Sequence, residues 1–278
     1  MNPGFYATVT VLFALSSSIS NADEINRYVR YDDGSSASYG LLDGNSIRQL
    51  DKAPWLGGTE TGRTVDKTKV RLLAPAEPSK VFAVGFNYDS HLDDRELPAE
   101  PPVFLKLPTA IIGPDEHIVF PPGASNVHYE GELVIVIGRL ASRVPEELAS
   151  YYVFGVTAGN DVSGRDWQDH DLQWFRAKAS DTFGPIGPEI VTGLDYANLL
   201  LRTRLNGKVV QEQRTSDLIH DVNAIVSFIS TYATLLPGDI IFTGTPGQTG
   251  PMNRGDVIEV EIENVGTLRN TIGSISTD

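Results

Sequence analysis

The sequence predicts a β-dominated α+β protein, and three observations carry that prediction. Short β-rich runs, VFAVG, PVFLKL, AIIG, HIVFPP, ELVIVIG and FGVTAGND, are punctuated by Gly and Pro, as strands joined by tight turns are. Helical pattern is sparse and clearest at residues 145–152 and 221–235, and in the second, NAIVSFISTYATL, apolar positions recur at three and four,. The strands do not alternate with helices as a doubly wound parallel sheet requires.

Taken in chain order, residues 1–22 carry no charged side chain. Their apolar run from Phe5 to Leu15 is too short to cross a bilayer core of about 30 Å as a helix, but it suits the h-region of a signal peptide. Ser20 and Ala22 place a cleavage site before Asp23, although the early Lys or Arg of an n-region is missing. Cleavage implies an exported or periplasmic product, and its absence a cytoplasmic one. Residues 23–72 follow as a small N-terminal β domain, because their alternating runs are separated by DDG and DG, the turn chemistry of a meander. Near KVRLLAPAEPSK, residues 69–80, Ala and Pro break the periodicity,. Residues 73–278 form the larger domain.

The chain has 278 residues, 41% hydrophobic and 21% charged, enough for a sizeable core in one large domain or in a small and a large one,. With 36 acidic against 22 basic side chains, a net charge of −14 and no basic cluster, neither nucleic acid nor an anionic membrane is the expected partner. A metal cation suits it better. The absence of cysteine excludes thiol catalysis, zinc–thiolate sites and disulfides,.

Chemistry concentrates in VHYEGELVIVIG, residues 127–138, where Glu130 and Glu132 run into an apolar strand. Residues two apart on a strand share a face, so the carboxylates repel until a proton, a basic side chain or a bound cation relieves them. Oxygen donors suit Mg²⁺, Mn²⁺ or Ca²⁺. A third donor, Asp161, ends the strand-like FGVTAGND. Arg165 and Gln168 follow in DVSGRDWQ, and Lys178 in RAKASDTFGPIGP. Arginine holds carboxylates bidentately, glutamine donates through its amide, and a desolvated lysine stabilises an enolate. Together these groups suit a small anionic keto acid. His128 shares the glutamates' face and reads as a rim residue. The acidic triplet with His at 169–171 reads as exposed helix-start chemistry. GTPGQTG lacks the Lys-Ser/Thr tail of a phosphate-binding loop,.

In order and spacing, GFNYDSH, YEGELVIVIG, NDVSGRDWQ, AKASDTFGPIGP and GDIIFTGTPGQTG resemble the C-terminal catalytic domain of the fumarylacetoacetate hydrolase family, over about residues 80–273. The resemblance implies a mixed β-roll, usually dimeric, with Mg²⁺ or Mn²⁺ held by Glu130, Glu132 and Asp161. It also implies Lys178 beside a developing enolate, Arg165 and Gln168 on the substrate's polar end, and Thr245 on a substrate oxygen. The family's water-activating pair, N-Y-x-x-H-x-x-E, is matched by His91 and, where Glu is expected, by Asp94. The implied reaction is hydrolysis of a carbon–carbon bond in a 2,4-diketo acid. Isomerase, decarboxylase and hydratase chemistry on a 2-keto or 2-hydroxymuconate-type acid are the alternatives on the same platform. A different class of reading is an exported, non-catalytic β protein that uses the acidic site only for structural Ca²⁺.

Overall fold

A computed structural model describes residues 24–92 and 94–273. The expectation of a signal peptide therefore falls outside the described residues. Among those described, no helix is long and apolar enough to cross a membrane.

The N-terminal strands Asn26–Asp32, Ala37–Asp43, Ser46–Leu50 and Glu60–Asp66 pair antiparallel in sequence order as a meander. The meander is the flank of a larger sheet, because Asn26–Asp32 also pairs antiparallel with Gly184–Thr192. From there the sheet runs through Val153–Asn160, Gly131–Ile137, Ile240–Phe242 and Val81–Val84 to an edge at Val103–Lys106. A second, five-stranded sheet is ordered Lys208–Arg214, Leu200–Leu205, Val257–Ile262, Gly266–Gly273 and His117–Val119. The protein is thus β-dominated α+β, with mixed sheets, as the composition of its runs predicts.

Gly131–Ile137 explains why LVIVI has no polar interruption. Leu133, Ile135 and Ile137 pack into a core shared with Leu201, Val260 and Ile262 of the second sheet and with Ile225 and Ile229 of a helix. Val134 and Val136 face the opposite core, with Ile186, Ile190, Ile240 and Phe242. Both faces are dry, and each such side chain contributes about 1.5–3 kcal/mol on burial. The helix is Val222–Tyr232, shorter than the expected 221–235, with the Asp221 carboxylate capping its start by accepting the Ala224 N–H at 2.9 Å,. The stretch at 145–152 forms a 3₁₀ helix, Glu146–Tyr152, behind Pro145. Seven residues set off by proline are too few to gain much from α-helical bonding.

Candidate metal centre

Glu130 immediately precedes the buried strand Gly131–Ile137, and Asp161 immediately follows Val153–Asn160, its antiparallel neighbour. Two hydrogen bonds lock these ends together. The Asp161 N–H donates to the Glu130 carbonyl at 2.8 Å, and the Glu130 N–H donates to Asn160 Oδ1 at 2.9 Å. Between the glutamates only glycine fits, since a Cβ on Gly131 would lie 2.0 Å from Thr203 Oγ1 of the second sheet. The result is a cluster in which carboxylate oxygens of Glu130, Glu132 and Asp161 lie within 4.8 Å of one another, all three residues buried.

Cations are arranged around this cluster unevenly. Lys178, on the short helix Phe175–Ala179, bridges Glu130 Oε2 and Asp161 Oδ2, each at 2.6 Å. Lys106, at the end of the edge strand, reaches Asp161 Oδ1 at 2.5 Å and also donates to the Lys178 carbonyl. Arg165 pairs with Glu130 Oε1, donates to Gln168 Oε1, and reaches Thr249 Oγ1 at 2.9 Å. Glu132 has no basic side chain within ion-pairing distance among the described residues. Its Oε2 accepts the Gly244 N–H at 2.7 Å, a direction of approach that depends on the φ of +110° at Gly244,.

The electrostatics follow that asymmetry. Burial opposes charge on Glu130, but Lys178, Arg165 and His91 outweigh it and hold its carboxyl well below the usual carboxylate range. Burial, with the charges of Asp161 and Glu130, pushes Glu132 well above that range. Lys178 is buried too, yet Asp161 and Glu130 keep its ammonium more basic than an ordinary lysine. Burial drives Lys106 the other way despite Asp161. Beside Glu132 lies Tyr88, fully buried, with no hydrogen-bond partner for its hydroxyl among the described residues.

These features fit a hard divalent cation. Three convergent carboxylates are oxygen donors of the right kind, and the one without a counter-charge is the one most in need of a cation. The cavity over the cluster, of about 20 Å³ and lined by Glu130, Glu132, Lys178, Thr245, Gln168 and His91 among others, has room for roughly one ion or water. Its outer wall is aromatic. Trp174, in a left-handed backbone conformation (φ 58°), packs edge-on against Phe104 and Phe86 at ring distances of 5.2 and 6.3 Å.

Eight of the nine residues singled out in the sequence meet here: Glu130, Glu132 and Asp161 in the cluster, Lys178 and Arg165 on it, and Gln168, Thr245 and His91 at its cavity. The ninth does not. Asp94 lies exposed in a turn beyond the 3₁₀ helix Asp89–His91 and makes no hydrogen bond to His91. Instead the Gly247 carbonyl accepts from His91 Nδ1 at 2.5 Å, which fixes the proton on Nδ1 and leaves Nε2 as the basic nitrogen. His128 sits at the rim between Thr249 and Asn126. In the acidic triplet, Asp171 is bound by the Arg176 guanidinium and backbone N–H. Sequence reasoning missed Lys106, whose signal is a charge inside the apolar run PVFLKL, the same anomaly that exposed the glutamates.

Fold and site together define a β-rich protein with a buried cluster of three carboxylates of a kind that could hold a divalent cation. Residues 80–273 match the fumarylacetoacetate (FAA) hydrolase C-terminal family, and residues 26–75 match the Rv2993c-like N-terminal family. The chain belongs to the fumarylacetoacetate hydrolase family. It is similar to the crystal structure of a 2-hydroxyhepta-2,4-diene-1,7-dioate isomerase from Mycobacterium marinum, at 45% identity and a TM-score of 0.85 over 91% of this chain and 100% of that one. A relative from Bos taurus, the oxaloacetate tautomerase FAHD2A, is 37% identical over 74% of this chain and 70% of its own length. The structure of a maleylpyruvate hydrolase from Sphingobium sp., in complex with manganese(II) and pyruvate, is 29% identical with a TM-score of 0.73 over 89% of this chain and 99% of that one.

Proposed function

We propose that this chain is a divalent-metal-dependent enzyme that moves a proton on a 2-keto diacid, interconverting keto and enol forms or double-bond isomers. The observation that carries this reading is the buried cage in which Lys178 bridges Glu130 and Asp161 while Glu132 is left without a counter-charge. Glu130, Glu132 and Asp161 would hold Mg²⁺ or Mn²⁺, which would supply Lewis acidity toward the keto acid,. Lys178 stabilises the negative charge that grows on the enolate oxygen. Arg165, already preset by Glu130 and Gln168, holds a carboxylate at the mouth, with the Gln168 amide beside it. His91 Nε2, the nitrogen left free by Gly247, takes and returns the proton. A tautomerase and an isomerase among similar proteins support this choice.

Hydrolysis of a 2,4-diketo acid is the second reading, supported by the maleylpyruvate hydrolase. It asks more of His91, because an imidazole that deprotonates water gains from an anionic partner and His91 has a neutral carbonyl in that role,. A purely structural calcium site would need neither Lys178 nor Arg165.

The test follows oxaloacetate tautomerisation by ultraviolet absorbance beside cleavage of an acylpyruvate, with Mg²⁺ or Mn²⁺. Metal-dependent tautomerisation, abolished by EDTA and by Glu130→Ala, is expected. Turnover indifferent to both treatments overturns the reading, and cleavage outpacing tautomerisation promotes hydrolysis.

A further inference from the structure

Thr245 lines the cavity with its hydroxyl almost fully committed. The O–H donates to the Gly131 carbonyl at 2.9 Å, and the oxygen accepts from Gln211 Nε2 at 2.8 Å. Neither role can be exchanged. A carbonyl only accepts, and the orientation of the Gln211 amide is fixed by two further contacts: Nε2 donates to the Pro246 carbonyl at 2.7 Å, and Oε1 accepts the Gly131 N–H at 3.1 Å. Turning the amide over would set oxygen against a carbonyl and NH₂ against an N–H. A threonine hydroxyl has one hydrogen and two lone pairs. With the hydrogen directed at Gly131 and one lone pair taken by Gln211, what remains for a ligand is a single lone pair. Gln211 and Thr245 are both buried, so water does not scramble the arrangement.

A ligand oxygen beside Thr245 must therefore carry a hydrogen. A ketone or enolate oxygen there would meet lone pair against lone pair and is left to the metal and Lys178 to stabilise, whereas an enol O–H would complete the hydroxyl's valence. Resting on the keto-acid reading above, we propose that Gln211 is a positioning residue that presets Thr245 as a hydrogen-bond acceptor, so that the cavity selects the hydroxyl-bearing, enol form of its substrate over the ketone. Gln211 touches no substrate. It comes from Lys208–Arg214 in the second sheet and acts only through Thr245, which links the two sheets at the cage. The same lone pair could instead hold a water molecule, and the experiment separates these two donors.

Isothermal titration of the full-length, Mn²⁺-loaded protein with lactate and pyruvate reads the preference directly, since the two acids differ at the α-oxygen by a hydroxyl against a carbonyl. Thr245→Val is expected to weaken lactate about tenfold, the worth of one neutral hydrogen bond, and to leave pyruvate within about twofold, a margin well inside that of one hydrogen bond. Thr245→Ser, which keeps the hydroxyl, retains the wild-type ratio. Gln211→Met, which frees the hydroxyl to rotate and donate, narrows the lactate-to-pyruvate ratio by strengthening pyruvate, an effect that simple loosening of the fold would not produce. Gln211→Asn, which withdraws the amide by one methylene, carries the same arm if the Met variant does not fold. Equal weakening of both acids in Thr245→Val overturns the proposal, as does no change in either, the result a water at Thr245 would give. Failure of both acids and of the dianion oxaloacetate to bind the wild-type holoprotein defeats the keto-acid reading itself; if oxaloacetate alone binds, the same comparison is read with malate against oxaloacetate.

Discussion

Replacing Glu132 by Gln should raise the stability of the metal-free protein and abolish its stabilisation by metal. Glu132 is buried, its Oε2 accepts only the Gly244 N–H at 2.7 Å, and its carboxylate lies within 4.8 Å of those of Glu130 and Asp161. At that separation two unit charges repel by about 3.5 kcal/mol for an effective dielectric of ~20. Lys178 and Lys106 offset much of this for Glu130 and Asp161, and partial protonation relieves part of it for Glu132. A residual cost of roughly 1–3 kcal/mol, the range for a poorly compensated buried polar group, is the quantity to remove. Glutamine keeps an oxygen for Gly244 and offers an NH₂ to the neighbouring carboxylates. Thermal unfolding after EDTA treatment should therefore show Glu132→Gln melting about 2–12 °C higher than wild type, at roughly 2–4 °C per kcal/mol for a chain of this size. Adding Mg²⁺ or Mn²⁺ at a hundred times its dissociation constant should stabilise wild type by about 2.7 kcal/mol and the variant hardly at all. A variant that melts lower without metal and still gains with it would refute the reasoning, for then Glu132 is neither uncompensated nor a ligand.

Lys106→Met should be among the most damaging substitutions, because it leaves Asp161 Oδ1 buried without its ammonium. A loss of about 3–5 kcal/mol in urea unfolding is expected, and less than 1 kcal/mol would mean that Lys106 is not a buried counter-charge. His91→Ala should lower turnover by about 10²–10⁴ with less effect on KM, whereas Asp94→Ala should cost under about tenfold. An equal loss at both would mean that residues 89–94 rearrange to bring the acid to the imidazole. Asp166 accepts from the Ser125 hydroxyl and N–H and from the Asn126 N–H, which hold its pKa below the usual aspartate value. Its native pKa is depressed, so its contribution is present above the unfolded value of ~3.9 and fades as pH falls through the lower native one. The stability gap between wild type and Asp166→Asn, followed by urea unfolding against pH, should close on acidification and stay constant above pH ~5.

How much of this was legible in the sequence depended on how local each signal is. Glu130 and Glu132 betray themselves because a two-residue period on one strand forces two carboxylates together, and Asp161 because it ends a neighbouring run. The meander is equally readable from its turns. What no local pattern carries is pairing across the chain. Asn26 against Thr192 makes the N-terminal strands an extension of the sheet that carries the acidic cluster, and no periodicity near residue 26 encodes that partner. Gln211 meets Gly131 eighty positions away, from the strand Lys208–Arg214, in which Gln211 is the one buried side chain. The His91 contact fails for another reason. Helical spacing suggests Asp94 as its neighbour, but the helix ends as a single 3₁₀ turn, and the Gly247 carbonyl arrives from a distant loop.

On the proposed function, the charges of the acidic cluster couple metal and substrate. Three carboxylates face Lys106, Lys178 and Arg165, so with all six ionised the set is neutral, and a divalent ion adds two positive charges to a poorly solvated space. That excess is unfavourable alone and favourable with a dianion, which is the charge of a 2-keto diacid. Metal and acid should then each tighten the other's binding by the same factor, and a monoanionic keto acid should leave one charge unmatched until its enolate forms. On that reading the arrangement would stabilise the enolate more than the ketone, which is the difference that accelerates a reaction. It also explains why the chain keeps two buried lysines beside its acids: without them the three carboxylates would hold the metal so well charged-matched that no positive field would remain for the substrate.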